Sequence, residues 1–482
     1  MSTEHAQARP DRPEVTRRVR WLYGIGAAAY WVKDNGFSYF LLFYYNQVLD
    51  LPGAYAGLAI LIAMLFDAIS DPVVGIWSDN TRSRWGRRHP FMYASAFPVA
   101  FVYFFLWNPP ELTDFGLFLY LTVASVLVRF FITLYEIPSS AIVAELTDDY
   151  DERTRMLGYR YMMGWYGGLG MAVLNWGVFM VAWGAADETT YKVYGSLGAV
   201  VMLVAILGSS AGLHRYIPYL QPPPSRASYR LMDLFGDLKQ TLANRNFAAL
   251  FLAGLFAAIG AGVATNFDTY IVTRFWEFDP AQWRWVIASL FVSAVLPMYV
   301  APRITARWDK KRSAMGIYGF QIVFSAMPVL LRLAGWFPDN DSPWLFPIIW
   351  AHTVINVAVV VTFGVVQSSM LADIVEHSQM STGRREEGLF FASRSFAQKA
   401  TSGVGAFIAG IALDLISFPR GAAPGTIDPD VIWNLGFIYG PVLMSFYVLA
   451  LASIGFYRIT RVGHNQRVDV LRGKAAGQVT SD

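Results

Sequence analysis

The chain has 482 residues, 55% hydrophobic and 16% aromatic, with only 15% charged and a net charge of +3. A soluble domain carries about 25% charge, so this balance excludes an ordinary water-soluble enzyme, leaves no basic surplus for nucleic acid, and points to lipid as the solvent. The sequence has no cysteine, which excludes disulfides and thiolate metal centres.

Residues 1–20 are polar and charged, lack the apolar stretch of a signal peptide, and read as a short cytoplasmic tail. Apolar runs of about 20 residues, the length that spans a bilayer, then recur. They predict helices over 21–48, 54–78, 90–108, 115–143, 156–184 and 191–218. A polar linker over 219–244, opening on Pro222, Pro223 and Pro224, separates these from helices over 245–273, 282–302, 313–335, 343–375, 388–418 and 431–457. Residues 458–482 read as a second cytoplasmic tail. The expected fold is therefore an all-α membrane protein with twelve transmembrane helices in two six-helix bundles, 21–218 and 245–457.

Loop charge predicts the orientation. Arg82 to Arg88, Arg153 with Arg155, Arg303 to Arg312, and Arg384 with Arg385 fall on alternate loops of one side. The opposite loops are acidic (Asp50, Glu111, Asp114, Asp187, Glu188, Asp339, Asp341, Asp428, Asp430), with Arg420 the main exception. Basic loops stay inside, so both termini are expected in the cytoplasm. The motif Arg84-Trp85-Gly86-Arg87-Arg88 returns as Arg307-Trp308-Asp309-Lys310-Lys311, and Ser139-Ser140 with Ala144-Glu145 returns as Ser368-Ser369 with Ala372-Asp373. Two parallel, pseudo-symmetric halves of six helices are the architecture of major facilitator transporters.

The predicted second helix carries Asp67 and Asp71 in an apolar run, one turn apart and so on one face, with Ser70 beside them. An ionised side chain at mid-membrane costs roughly 2.5–3.5 kcal/mol on insertion scales, which marks such residues as functional. Oxygen ligands suit Na⁺ or Li⁺, while mutual repulsion that raises one carboxylate pKa suits H⁺; residue types do not choose between them. Further ionic groups on predicted spans are Lys33, Asp34, Arg129, Glu136, Arg160, Asp268, Arg394 and Lys399. Arg129 shares a face with Thr133 and Glu136. Arginine binds acidic groups through two parallel hydrogen bonds, so Arg129 and Arg394 either receive an acidic substrate or pair with Glu136 and Asp268. Trp165, five residues after Arg160, is a candidate for stacking on a sugar face.

The run Gly75-Ile-Trp-Ser-Asp79-Asn-Thr-Arg-Ser-Arg84-Trp-Gly86-Arg87-Arg88-His-Pro90 resembles the signature between helices 2 and 3 of major facilitator proteins. Phe66-Asp-Ala-Ile-Ser-Asp-Pro72, Glu145-Leu-Thr-Asp-Asp-Tyr-Asp-Glu-Arg-Thr-Arg155 and Thr382-Gly-Arg-Arg-Glu-Glu-Gly388 narrow the likeness to the glycoside–pentoside–hexuronide:cation symporters, the family of melibiose permease. The resemblance implies cation-coupled uptake by alternating access. It puts Asp67, Ser70, Asp71, Thr133 and Glu136 at the coupling ion, with Na⁺ held by Asp67, Asp71 and Glu136. It puts Lys33, Asp34, Glu136, Arg160 and Lys399 at the substrate. It gives Gly75, Asp79, Arg87 and Arg88 a gating role, with Asp79 capping a helix of the opposite half. Ser140 and Gly364 stand where melibiose permease has sugar-stacking tryptophans, which argues against an identical sugar pose.

These observations lead to the expectation of a non-enzymatic symporter in the plasma (inner) membrane, acting as a monomer and needing no cofactor beyond its coupling ion, Na⁺ or H⁺. Its cargo is a sugar or glycoside, with an acidic, uronide-like one suggested by the arginines. Lysophospholipid transporters look like the same branch, so a lipid-like or steroid amphiphile is the alternative, favoured by the aromatic run Phe37 to Tyr45.

Overall fold

The computed structural model describes residues 14–147, 149–220, 245–279, 310–382, 403–422 and 425–456, with Thr401 and scattered positions between 281 and 308. Among the described residues nine helices are long and apolar enough to cross a membrane. Most of the predicted span over 282–302, and residues 388–400 and 402 of that over 388–418, lie outside the described set.

Packing divides the chain into two compact units, one of residues up to Tyr44 with Ile62–Tyr229, the other of Tyr45–Leu61 with the residues from Arg230 onward. The first contains α1 (Arg17–Ile25), α2 (Ala27–Asn35), most of α3 (Gly53–Asn80), α4 (His89–Leu106), α5 (Asp114–Ala141), α6 (Tyr150–Leu174) and α7 (Glu188–Leu213). The second contains α8 (Arg245–Tyr270), α9 (Lys310–Leu333), α10 (Leu345–Thr382), α11 (Gly403–Leu415), α12 (Pro429–Phe437) and α13 (Leu443–Gly455).

The predicted single helix over 21–48 is instead segmented. A turn at Gly26 separates α1 from α2, and π-helical stretches follow at Gly36–Leu41 and Tyr44–Val48. Packing is the cause: a Cβ on Gly36 would lie 2.6 Å from the Tyr103 hydroxyl, so the chain is squeezed against α4 just after Lys33 and Asp34. π-Turns of this kind inside helices cluster at functional sites.

In the first unit α2 packs along α6, and α4 packs on both α5 and α7. Gly167 and Gly168 permit the first contact, since a Cβ would meet Ala28 at 2.6 Å and Asn35 at 2.3 Å. Lipid supplies no hydrophobic drive between helices, so such small-residue seams allow the close backbone approach that replaces it. The run from Phe37 to Tyr45 is core packing: Phe40 meets Tyr194 at 5.2 Å between centroids, and Tyr44 stacks on Tyr191 at 4.8 Å and Trp107 at 5.5 Å. That removes its support for the amphiphile alternative. The outward faces are apolar and exposed, with Phe97, Phe101 and Phe115 on α4 and α5 and Val200 and Val204 on α7. Such patches are a liability in water and are what a helix shows to lipid.

Polar caps close the loops on the acidic side. The Asp187 carboxylate accepts from the Thr189 amide at 2.7 Å and starts α7; hydrogen bonds from Thr189 hold it below the usual carboxylate range. Within the second unit the Asp414 carboxylate caps α3 through the amides of Gly53 and Ala54 at 3.0 and 2.7 Å. There too Arg420, out of place by loop charge, donates to the Asp50 carbonyl at 2.9 Å.

Candidate functional site

Helices α3 and α5 face each other through ionic side chains. Both are 28 residues long, about 42 Å at 1.5 Å per residue, against a hydrocarbon core of about 30 Å. Asp67 and Asp71 lie near the middle of α3, and Arg129 and Thr133 lie opposite on α5. Arg129 Nη1 donates to Asp67 Oδ2 at 3.0 Å, with both side chains almost wholly buried. The Thr133 hydroxyl lies 3.1 Å from Asp67 Oδ1 and 3.0 Å from Asp71 Oδ1.

Arg129 was open to pairing with Glu136, but it takes Asp67. Its guanidinium also lies 4.6 Å over the Phe37 ring, while Nε and Nη2 have no hydrogen-bond partner among the described residues. The ring face offsets part of that loss, since a desolvated cation over an aromatic gains about 2 kcal/mol. The Ser70 hydroxyl donates a hydrogen bond to the Asp67 backbone carbonyl at 3.2 Å.

Glu136 departs from the expected three-carboxylate ion site. Its Oε2 accepts from Arg160 Nη2 at 2.7 Å, and the same nitrogen donates to Ser139 Oγ at 3.1 Å. Among the described residues no three acidic or histidine side chains converge as metal ligands. The physical reason is charge pairing: Arg160 of α6 holds the carboxylate. The Glu136 side chain keeps 23% of its surface exposed against 2% for Asp67, so it is the more accessible of the two.

Lys33 and Asp34 lie at the end of α2. Lys33 Nζ is 3.4 Å from Asp34 Oδ1 and 4.3 Å above the Tyr30 ring. Tyr30 stands within electrostatic reach of Asp34, Asp67, Glu136 and Arg129, a central position that the ionic residues alone did not reveal. Its helical spacing, three before Lys33, is the signal that could have found it. Trp165 is half-buried with its ring against Trp31 at 5.8 Å. Asp268 lies near the phenols of Tyr439 and Tyr447 and makes no ion pair with a described side chain. Arg394 and Lys399 lie outside the described residues.

A second ionic cluster closes the basic end of the first unit. Glu145 Oε1 accepts from Arg87 Nη2 and Arg88 Nε, each at 2.5 Å, and Asp79 lies 3.5 Å from both arginines. Gly75, one turn before Asp79, faces Ile137 of α5 with room for a Cβ at 3.6 Å. Arg88 also reaches the Pro138 carbonyl at 3.4 Å, which ties this cluster to the turn that bears Glu136. Sequence motifs named Glu145 only as part of a loop signature; here it is the hub.

Apolar helices around paired intramembrane charges, with basic-loop clusters at one end, define a multi-pass membrane transporter of the major facilitator fold. The chain matches the family of MFS/sugar transport proteins over residues 22–461, and it belongs to that family, among the glycoside–pentoside–hexuronide:cation symporters. It is 21% identical to the putative glycoside/cation symporter YagG of Escherichia coli, over 97% of this chain and 98% of that protein. It is 25% identical to the sphingosine-1-phosphate transporter MFSD2B of Mus musculus, over 90% of this chain and 87% of that one. In fold it is similar to the nucleoside transporter NupG, with a TM-score of 0.62 at 14% identity over 92% of this chain and 100% of that one. Its relatives are transporters, and the chain is a transporter rather than an enzyme.

Proposed function

We propose that this protein imports a sugar or glycoside together with one monovalent cation, by alternating access, with both termini in the cytoplasm. The observation that carries the proposal is the Thr133 hydroxyl between Asp67 and Asp71. Arg129 offsets one of the two carboxylate charges through its bond to Asp67. Arg129 thus serves as a built-in counter-charge, and the oxygen donors of Asp67, Asp71 and Thr133 suit a hard cation. Binding of that ion relieves repulsion on α3 and α5, which favours substrate binding, and each ligand raises the affinity of the other equally.

Substrate recognition is assigned to the more exposed Asp34 and Glu136 with buried Lys33 and Arg160. Both signs of charge at one opening suit a cargo rich in hydroxyl groups, which both donate and accept. Arg160 Nη1 has no hydrogen-bond partner among the described residues, and this is the described donor that a uronide carboxylate would take. The second reading, an anionic amphiphile, is supported by the 25% identity to a sphingosine-1-phosphate transporter.

Uptake into proteoliposomes tests the proposal, with phenyl glucoside, phenyl glucuronide and a lysophospholipid as probes under imposed Na⁺ or H⁺ gradients. Gradient-driven accumulation of a glycoside is expected. In Asp71→Asn the stimulation of substrate affinity by the ion, about 5–150-fold for a coupling of this kind, is expected to vanish. Undiminished accumulation by that variant would overturn the ion assignment, and uptake of the lysophospholipid alone would favour the amphiphile.

A further inference from the structure

A groove of about 540 Å³ runs between α4 and α5 of the first unit. Its described lining begins at Leu112, just ahead of α5, and ends at Leu127, the middle of that helix. Those fifteen steps cover about 22 Å at 1.5 Å per residue. Phe101 and Phe105 of α4 form one wall, 4.7 Å apart between centroids, and the small Gly116 and Ala124 keep the α5 side low. Leu119 and Val123 are about half exposed, so the groove opens on an apolar face.

The lining selects for hydrocarbon. Its one polar side chain among the described residues, Tyr120, already donates its hydroxyl to the Phe105 carbonyl at 2.8 Å. A hydroxyl-rich ligand would find no partner there and would lose its bonds to water. An apolar cavity of about 150 Å³ holds the six carbons of benzene, and on that scale the groove has room for one acyl chain. Half of the hydrocarbon core is about 15 Å deep, so a groove of this length carries a chain from the headgroup layer to the membrane centre.

The mouth selects for charge. Glu111 and Asp114 flank Leu112 and are exposed. Trp107, in the same loop, packs on Gly195 of α7, which brings the start of that helix, with Asp187 and Glu188, to the same end. The segments 107–114 and 184–192 thus hold four carboxylates and one lysine, a net charge of −3. That lysine, Lys192, is bonded to Glu188 at 2.8 Å, so Glu111 and Asp114 face the headgroup layer as negative groups. Such a mouth repels a lipid whose only headgroup charge is phosphate and attracts an ammonium.

We propose that this groove is a phospholipid site: one acyl chain lies between Leu112 and Leu127, and an ethanolamine headgroup donates its ammonium hydrogens to Glu111 and Asp114. Charged hydrogen bonds of that kind are open to a primary ammonium and closed to the quaternary ammonium of choline. The inference needs only that α4 and α5 span the bilayer, so its failure leaves the transport reading in place.

Quenching in nanodiscs tests it on the full chain. The sequence has no cysteine, so Phe115→Cys at the rim and, separately, Val204→Cys on α7 each carry a single thiol-attached fluorophore. Lipids with a nitroxide on one chain and an ethanolamine, choline or glycerol headgroup are then titrated in. At position 115 quenching is expected to be strongest with ethanolamine and weakest with glycerol, while at 204 the three are expected to be equal. Glu111→Gln and Asp114→Asn are each expected to cut the ethanolamine-over-glycerol preference about 1.5- to 5-fold, the worth of an exposed ion pair. Ala124→Phe, which fills the groove, is expected to reduce position 115 to the behaviour of 204. Both carboxylates are exposed, so their variants test the headgroup even where Ala124→Phe disturbs packing. Equal quenching by the three headgroups at 115 would mean ordinary contact with surrounding lipid and would overturn the proposal, as would an undiminished preference in the double carboxylate variant. Protection of the label from every lipid would also overturn it, in favour of a second copy of the chain in the groove.

Discussion

The interiors of the two units differ in kind. In the first, Asp67 with Arg129 and Glu136 with Arg160 form ion pairs between helices inside the membrane. In the second, the described interior around Tyr318 is held by aromatic contacts and by the amide pair Gln321 and Asn356. A buried ion pair binds its helices through charges whose desolvation nearly cancels their attraction, so removing one partner costs far more than removing both. An amide pair in an apolar wall tolerates either loss better. Among the described residues, the paired charges of the first unit are built to feel a change of charge, whereas the aromatic wall of Tyr318, Phe363 and Tyr447 in the second is built to feel a change of shape.

The sharpest break of that comparison is Asp67→Asn, which takes from the buried Arg129 the carboxylate it is bonded to. It is expected to destabilise the protein by about 3–5 kcal/mol, while adding Arg129→Gln to it recovers most of the loss. Unfolding of the single and double variants in nanodiscs measures both, and an additive cycle would deny the coupling. Asp268→Asn is the matching probe in the second unit. Asp268 has no ion partner among described residues, so this substitution is expected to leave stability unchanged or slightly raised in the same assay.

Smaller effects sharpen the picture of the first unit. Glu145→Gln weakens the hub that gathers Arg87, Arg88 and Asp79, and is expected to shift the balance of inward- and outward-open states several-fold. Because the chain has no cysteine, one engineered cysteine on either side can report that shift by labelling rate without background. Thr133→Val removes the bridging hydroxyl at similar volume. One neutral hydrogen bond is worth about 1 kcal/mol, so cation affinity is expected to fall about fivefold, read from the ion dependence of uptake.

Much of this was legible in the sequence because lipid imposes simple demands. The run predicted as 54–78 forms α3 at Gly53–Asn80, and that predicted as 115–143 forms α5 at Asp114–Ala141; hydropathy alone sets such lengths. The distortion after Asn35 was not legible, since it arises from Gly36 meeting Tyr103 of another helix. Charge pairing was half legible. Spacing put Arg129, Thr133 and Glu136 on one face of α5, but which carboxylate each would meet depends on how α3 and α6 rotate against it. For that reason Glu136, read as an ion ligand, faces Arg160 instead.

Thr133 has a consequence beyond bridging. A hydroxyl owns one hydrogen, and here it faces two nearly equidistant acceptors. At any instant it can favour only one aspartate and must turn bare lone pairs toward the other, so the two acids are never equivalent. A cation bound as proposed above would end that alternation by claiming the lone pairs. The loaded site would then lose a rotational degree of freedom, carried by a single rotor on α5.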